Sequence, residues 1–186
     1  MKFTHLHVHT EYSLLDGSNK IKEYVERVKE LGMDSAAITD HGVMFGVIDF
    51  YRACRAAEIN PVIGCEVYVA PNSRFDREIG GGDDRYYHLV LLAENNVGYS
   101  NLMKIVSKGF VEGYYYKPRV DKEVLEQYHE GLICLSACLV GEVQKYLLRG
   151  LYEEGKKAAL QYQEIFGEGN FFLELQDHSR SLWPRC

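Results

Sequence analysis

Histidines at alternate positions, His5, His7 and His9, open the sequence. In an extended chain, alternate residues point to one face, so these three imidazoles line the same side. At ~3.3 Å per residue, His5 and His9 stand about 13 Å apart, too far to share an ion. Neighbours in the series are ~6.6 Å apart and can reach one metal or a close metal pair. Parallel α/β folds place their chemistry at the carboxyl ends of strands, which favours His7 and His9. His5 is then expected to be a buried, hydrogen-bonded core residue. A single histidine is more often a satisfied core residue than a ligand, but several further residues change that balance. The apolar run 35–39 ends in Asp40-His41-Gly42, and Glu66 interrupts the apolar stretch 61–69. His88 precedes Leu89-Val90-Leu91-Leu92, and Cys138 follows the run 132–135. Glu174, Asp177 and His178 lie on or just after 171–175. A buried carboxylate without a partner is costly, and a nearby cation is its natural compensation.

Imidazoles, carboxylates and one cysteine drawn from separate segments suit zinc, manganese or iron. They suit magnesium poorly, since it prefers oxygen ligands and retained water. The ligand types outnumber what one four-coordinate ion uses, which implies two or three divalent transition-metal ions. Metals paired at ~3.5–4 Å are built for phosphoester hydrolysis.

The elements that must position these groups follow from periodicity. Apolar runs 3–8, 35–39, 61–69, 87–93, 132–135 and 171–175 read as strands. Between the first two, Ile21, Tyr24, Val25, Val28 and Leu31 have helical spacing, opened by Ser18-Asn19 and closed by Gly32. Val47, Phe50, Tyr51, Cys54 and Ala57 predict a second helix, and others fit 99–106, 122–128, 143–148 and 152–166. Such alternation implies a mainly parallel sheet, doubly wound or closed into a barrel. The segment 71–85 contains Gly80-Gly81-Gly82-Asp83-Asp84. No helix start follows those glycines, so the segment reads as a surface excursion rather than a phosphate cradle.

Bulk properties bound the function. The chain has 186 residues, 46% hydrophobic and 26% charged, which suits one domain with a real core. No apolar run reaches the length of a bilayer span, and no signal-peptide pattern opens the chain, so a cytoplasmic location is expected. The five cysteines lack CxxC pairing, against both a disulfide scaffold and a zinc finger. A net charge of −6 argues against a basic duplex-DNA grip and fits a site rich in carboxylates. The stretch Tyr114-Tyr115-Tyr116-Lys117-Pro118-Arg119 interleaves aromatics and cations. It could stack single-stranded bases, with Lys117 and Arg119 contacting phosphates. The competing reading is a packed surface loop with snorkelling cations.

The run His7-Val8-His9-Thr10-Glu11-Tyr12-Ser13-Leu14-Leu15-Asp16-Gly17 resembles the opening motif of the polymerase-and-histidinol-phosphatase (PHP) family. Thr39-Asp40-His41-Gly42 and Gly64-Cys65-Glu66-Val67-Tyr68 are similar to later motifs of that family. Gly113-Tyr114-Tyr115-Tyr116-Lys117-Pro118-Arg119 and Leu135-Ser136-Ala137-Cys138-Leu139 resemble the branch carried by bacterial replicative DNA polymerases, not the small free-standing phosphatases. The resemblance runs from residue 3 to about residue 178. It implies a distorted (β/α)7-type barrel with metal ligands at His7, His9, Asp16, His41, Glu66, His88 and Cys138. Asp16 enters through the resemblance alone. Asp40, Glu174 and His178 occupy motif positions without an assigned ligand role. The family pattern closes with an Asp-x-His pair, and no such triplet occurs after residue 178. The expectation is an α/β barrel over residues 1–178 lacking its last strand–helix unit, then an atypical tail over 179–186.

By the same resemblance, the activity is that of a metal-dependent phosphoesterase module in a replicative polymerase, with capacity for 3′–5′ exonuclease proofreading. Its partners are DNA, entering as a single-stranded 3′ end, and other replicase subunits; no membrane is involved. With the closing pair missing, this length of chain is expected to be a weak or inactive nuclease. A second reading is a non-catalytic module that stabilises the polymerase and docks a separate proofreading subunit. A third is a free-standing phosphatase of the histidinol phosphate type. Metal-dependent turnover separates the first two readings, and the length of the parent reading frame tests the third.

Overall fold

Helices and strands alternate along most of the chain, as the apolar periodicity predicts. The computed structural model describes residues 3–77 and 85–176. The 80–84 run, Asp177, His178 and the 179–186 tail lie outside the described residues. The order is α1 (Ile21–Glu30), β1 (Ser35–Ile38), α2 (Val47–Ala57), β2 (Asn60–Val69), β3 (Tyr87–Ala93) and α3 (Asn96–Val111). There follow β4 (Tyr114–Tyr115), β5 (Lys117–Val120), α4 (Lys122–Tyr128), β6 (Leu132–Leu135), α5 (Glu142–Leu148), α6 (Tyr152–Phe166) and β7 (Phe171–Phe172).

The sheet runs β4-β5-β2-β3-β6-β7, with β1 also on β2. Long β2 organises it. Its first half pairs in parallel with β1, its end in parallel with β5, and its other edge with antiparallel β3. β3 is antiparallel to β6 as well, so the sheet is mixed where alternation alone implied a mainly parallel one. The connection from β2 to β3, residues 70–86, carries no helix among its described residues, and β3 runs antiparallel to β2. The terminal strands β4 and β7 do not pair with each other among the described residues. Among the described residues the α/β wall is thus an open, mixed sheet.

Two larger apolar layers hold it, beside a smaller cluster of Val90, Leu92, Leu135 and Ala137. Cys65, Val67, Val69, Leu89 and Leu91 from the sheet pack with Leu102, Ile105, Leu125, Tyr162 and Phe166 of the helices. Ile21, Val25 and Val28 of α1 pack with Val47, Phe50 and Cys54 of α2 over Ala36 and Ile38. Helix α1 has no side-chain cap of its own; Lys20 is its N-cap, and the Ile21 N–H is taken by Glu11 Oε1 at 3.3 Å. Helix α3 begins earlier than the apolar spacing predicts, because Asn95 accepts hydrogen bonds from the Val97 and Gly98 amides. No helix among the described residues is long and apolar enough to cross a membrane.

Three expectations need correction. Residues 3–8 form no strand: Phe3, His5 and Leu6 are exposed, and His5 meets Phe3 edge-on rather than entering the core. The segment is tied to β1 at Val8, whose carbonyl accepts from the Thr39 amide and whose amide donates to Thr39 Oγ1. The hairpin β4–β5 was hidden because Pro118 interrupts it and its strands are short. Arg119, expected on a phosphate, is 3% exposed. Its guanidinium donates to the carbonyls of Gly113, Arg85, Arg74 and Asp76, and lies 5.0 Å from the Tyr115 ring centre. Three of these carbonyls lie outside the hairpin, so one five-donor side chain ties β5 to the segment around Arg74, Asp76 and Arg85.

Arg119→Ala is therefore expected to lower the unfolding free energy by about 3 kcal/mol, since each buried acceptor left without a donor costs about 1–3 kcal/mol. Urea titration measures this, and an unchanged midpoint would contradict the anchoring role.

Candidate metal centre

The centre is built around Glu66. Along β2, Cys65, Val67 and Val69 point into the apolar layer, so Glu66 and Tyr68 face the other way. The Glu66 side chain has no solvent exposure. The chain after β1 runs beside it: the Glu66 amide donates to the Asp40 carbonyl, and the Gly42 amide donates to the Glu66 carbonyl. That pairing sets His41 directly against Glu66, with His41 Nδ1 2.5 Å from Oε2. Gly42 then takes φ 65°, and a Cβ there would come 2.8 Å from the Tyr68 ring, so glycine alone fits the exit. On the opposite edge, β3 carries His88, whose Nδ1 lies 3.0 Å from Glu66 Oε1. The tethered opening segment adds His7 Nε2 at 3.2 Å and His9 Nε2 at 3.4 Å from the same carboxylate. Cys138, in the loop after β6, places Sγ 3.8 Å from Glu66 Oε1 and 3.6 Å from His88 Nδ1.

Asp16 reaches the centre from the loop 10–17, and Asp40 shapes that loop. Buried Asp40 accepts from the Thr10 amide, Thr10 Oγ1 and Ser13 Oγ, each at 2.6 Å. Ser13 Oγ in turn accepts from the His41 amide. Gly17 closes the loop where a Cβ would collide with the Thr10 carbonyl oxygen at 2.0 Å. Asp16 Oδ2 ends 2.7 Å from His41 Nε2. Asp40 is thus spent on hydrogen bonds that hold the loop. Glu174 lies 2.8 Å from His7 Nδ1, and Gln176 Nε2 donates to Glu174 Oε1. This is the kind of carboxylate that orients an imidazole.

The electrostatics follow from burial. Desolvation alone would raise the Glu66 pKa, but the imidazoles of His41, His7 and His88 more than offset it, holding the carboxyl far below its usual range. His7 loses charge preference by burial yet gains more from Glu174 and Glu66, so its pKa rises to about 9. His41 is also raised, burial being outweighed by Glu66 and Asp16. His9 moves down, through burial and through His41 stacked 3.9 Å away. Burial pushes the Cys138 thiol up to about 11.

For several atoms, proximity here is not hydrogen bonding. His7 Nε2, His9 Nδ1, His41 Nδ1, Glu66 Oε2 and Glu174 Oε2 are buried and make no aligned hydrogen bond. Native interiors rarely leave such atoms orphaned. Three sets of side chains could each hold a metal ion: His7-His9-Glu66, His9-Asp16-His41, and His41-Glu66-His88. The nitrogen and oxygen donors, with a thiol beside the third set, fit divalent metal.

The structure thus gathers His7, His9, Asp16, His41, Glu66, His88 and Cys138 into one centre. It leaves Arg119 in the interior, while Lys117 is exposed and sits with Nζ 5.4 Å from the Tyr68 ring centre. The Tyr68 ring lies against His88 and His41. Sequence reasoning missed that wall, although Tyr68 shares the face of Glu66 by simple alternation. It also left open the roles of Asp40 and Glu174, because a supporting carboxylate and a ligand look alike in sequence.

Comparison with known proteins agrees with this geometry. The family described as PHP domain matches residues 5–178. The chain is 52% identical over 178 residues to DNA polymerase III subunit alpha of Treponema pallidum, covering 96% of this chain and 15% of that protein. It is 46% identical over 177 residues to the Borreliella burgdorferi protein of the same name, covering 95% and 15%. The Helicobacter pylori counterpart is 48% identical over 187 residues, with 95% and 15% covered. The chain spans about 15% of the length of these relatives. With a match over nearly its whole length, the chain belongs to the PHP domain family.

Proposed function

We propose that the chain is the metal-dependent phosphoesterase domain of a replicative DNA polymerase of the polymerase III alpha type, acting on single-stranded 3′ ends as a 3′–5′ exonuclease. One observation carries the reading: the three ligand sets overlap pairwise, sharing His9, His41 and Glu66. Shared ligands hold ions close together, so the arrangement fits two or three divalent ions such as zinc, manganese or iron. Ions so placed supply Lewis acidity for a phosphoester and activate water at neutral pH.

The chain's own residues define the rest. Glu66 neutralises the centre from its floor, and His7 and His9 enter from one side with His41 and His88 from the others. Glu174 fixes the His7 ring. Asp16, with an exposed side chain, stands where substrate would arrive. DNA and other replicase subunits are the partners expected for such a domain. A structural reading is favoured by one feature: Leu15, Leu14 and Phe45 beside the site are 109%, 82% and 68% exposed, a surface suited to docking protein.

Metal content is the first measurement. His9→Ala and Glu66→Ala are each expected to lower the bound transition metal found by elemental analysis, and to remove most of the rise in melting temperature that added zinc or manganese produces. Undiminished content in both variants would contradict the proposed ligands. Hydrolysis of a single-stranded oligonucleotide should vanish with chelation and return with metal. Because the closing Asp-x-His pair is missing, that turnover is expected to be weak; tight metal binding with no turnover, in this chain and in one extended through the next strand–helix unit alike, would leave only the structural reading.

The pH dependence has a definite sign. In the metal-free site, His7 has a pKa of about 9, above the ordinary value of 6.5. Its ion pairs stabilise the metal-free fold fully below pH 6.5, and that contribution fades as pH rises through about 9. Metal must displace the same proton, and a thiolate ligand at Cys138 must lose one also. The melting-temperature difference between loaded and stripped protein is therefore expected to widen from pH 6.5 to 9. A difference that narrows over that interval would mean that His7 is not a ligand.

A further inference from the structure

At the tip of the β4–β5 hairpin, Tyr115 faces Lys117 and Tyr116 alone makes the turn. Tyr116 takes φ 61°, a conformation that ordinarily selects glycine or asparagine. Its ring is not sheltered by the fold, since the residue is 61% exposed. A large ring in a strained, open turn adds nothing to the buried core, and such outliers cluster at ligand-binding positions. The surroundings are cationic and aromatic. Arg85 lies 4.7 Å above the Tyr116 ring, and Tyr115 meets its edge at 4.7 Å. The next residue, Lys117, sits over Tyr68, whose ring packs against His88 and His41. Pro118 packs close to Gly42, immediately after His41. The hairpin tip therefore extends the wall of the metal centre outward.

We propose that Tyr116 is a stacking platform for an unpaired base of a single-stranded nucleic acid, with Arg85 and Lys117 holding the flanking phosphates as the strand end enters the metal centre. The proposal rests on the phosphoesterase reading and adds the side from which substrate comes. Exposed rings flanked by cations are the common means of holding single strands without sequence preference, whereas bases in a duplex have no free face to offer. The chain carries a net charge of −6, so its affinity for a strand must come from local cations such as these.

The test is anisotropy of a labelled, phosphorothioate-linked oligothymidylate titrated with metal-loaded protein. Tyr116→Gly is expected to weaken binding on the order of tenfold. The same change should leave the melting temperature unchanged or higher, because glycine relieves the positive φ. Tyr116→Trp should restore binding, and Arg85→Ala should weaken it with a shallower salt dependence. Binding by Tyr116→Gly equal to the unaltered protein, or no strand binding by the unaltered protein, would overturn the proposal. Metal-dependent hydrolysis of a base-free phosphodiester is followed in parallel. Its presence with no Tyr116 effect strikes the platform alone. Its absence, in this chain and in one extended through the next strand–helix unit, beside a clear Tyr116 effect on binding strikes the catalytic reading and leaves the platform standing.

Discussion

A carboxylate with no solvent exposure, Glu66, sits at the middle of the longest strand, and the surrounding structure is arranged around its charge. Left alone, an ionised carboxyl at such a position would be strongly disfavoured. Replacing it by an apolar group would suit the sheet, whose neighbouring residues Cys65 and Val67 lie in the apolar core. Its presence is therefore explained by what it gathers. His7 and His9 come from the opening segment, His41 from the end of β1, and His88 from β3. No local element could bring these together. Only the register of β2 against both of its edges does so, with His41 bridged to Glu66 on one side and Tyr68 opposite His88 on the other. Protons on the imidazoles or a shared cation can each meet the charge, but only a cation also uses the buried ring nitrogens that make no aligned hydrogen bond.

The loops around the centre carry backbone strain in a consistent place. Leu15, Tyr116 and Ala137 all take φ between 61° and 70°, and each directly precedes a residue of the centre or its rim: Asp16, Lys117 and Cys138. A non-glycine residue in that region costs about 1–2 kcal/mol. Rigid supports stand behind two of these turns. The Asp40 carboxylate fastens Thr10 and Ser13 beneath the first, and the buried Arg119 fastens the carbonyls around the second. Asp40 and Arg119 both looked like functional groups in sequence. Their burial and full hydrogen bonding make them the fixtures against which the strained turns are held.

Much of this was legible in the sequence because periodicity and burial coincide there. Helices α1 and α2 and strands β2, β3 and β6 were readable from their apolar spacing, and the histidines, Glu66 and Cys138 stood out as polar groups set against apolar runs. The PHP resemblance supplied Asp16, which no spacing argument reached. What escaped depends on long-range contacts. The hairpin β4–β5 pairs too few residues to leave a pattern and leans on Arg119. The direction of β3, antiparallel to β2, is a matter of strand pairing that hydrophobicity does not encode. Glu174 is revealed as a support for His7 only when residues 7 and 174 are seen side by side.

The opening segment shows how far the site shapes the fold. Residues 3–8 have the alternation of a strand, yet among the described residues they share only the Val8–Thr39 contacts with β1. A strand is normally held by a row of backbone hydrogen bonds. Here the inward face consists of His7 and His9, fixed to Glu66 and Glu174, while Phe3, His5 and Leu6 remain exposed. Side-chain attachment to the centre thus takes the place of a ladder. It follows that the position of this segment is linked to the charge state of the centre. An ion held by His7 and His9 would fasten the first residues of the chain to the middle of β2, so that metal affinity and the order of the opening segment become two measures of one equilibrium.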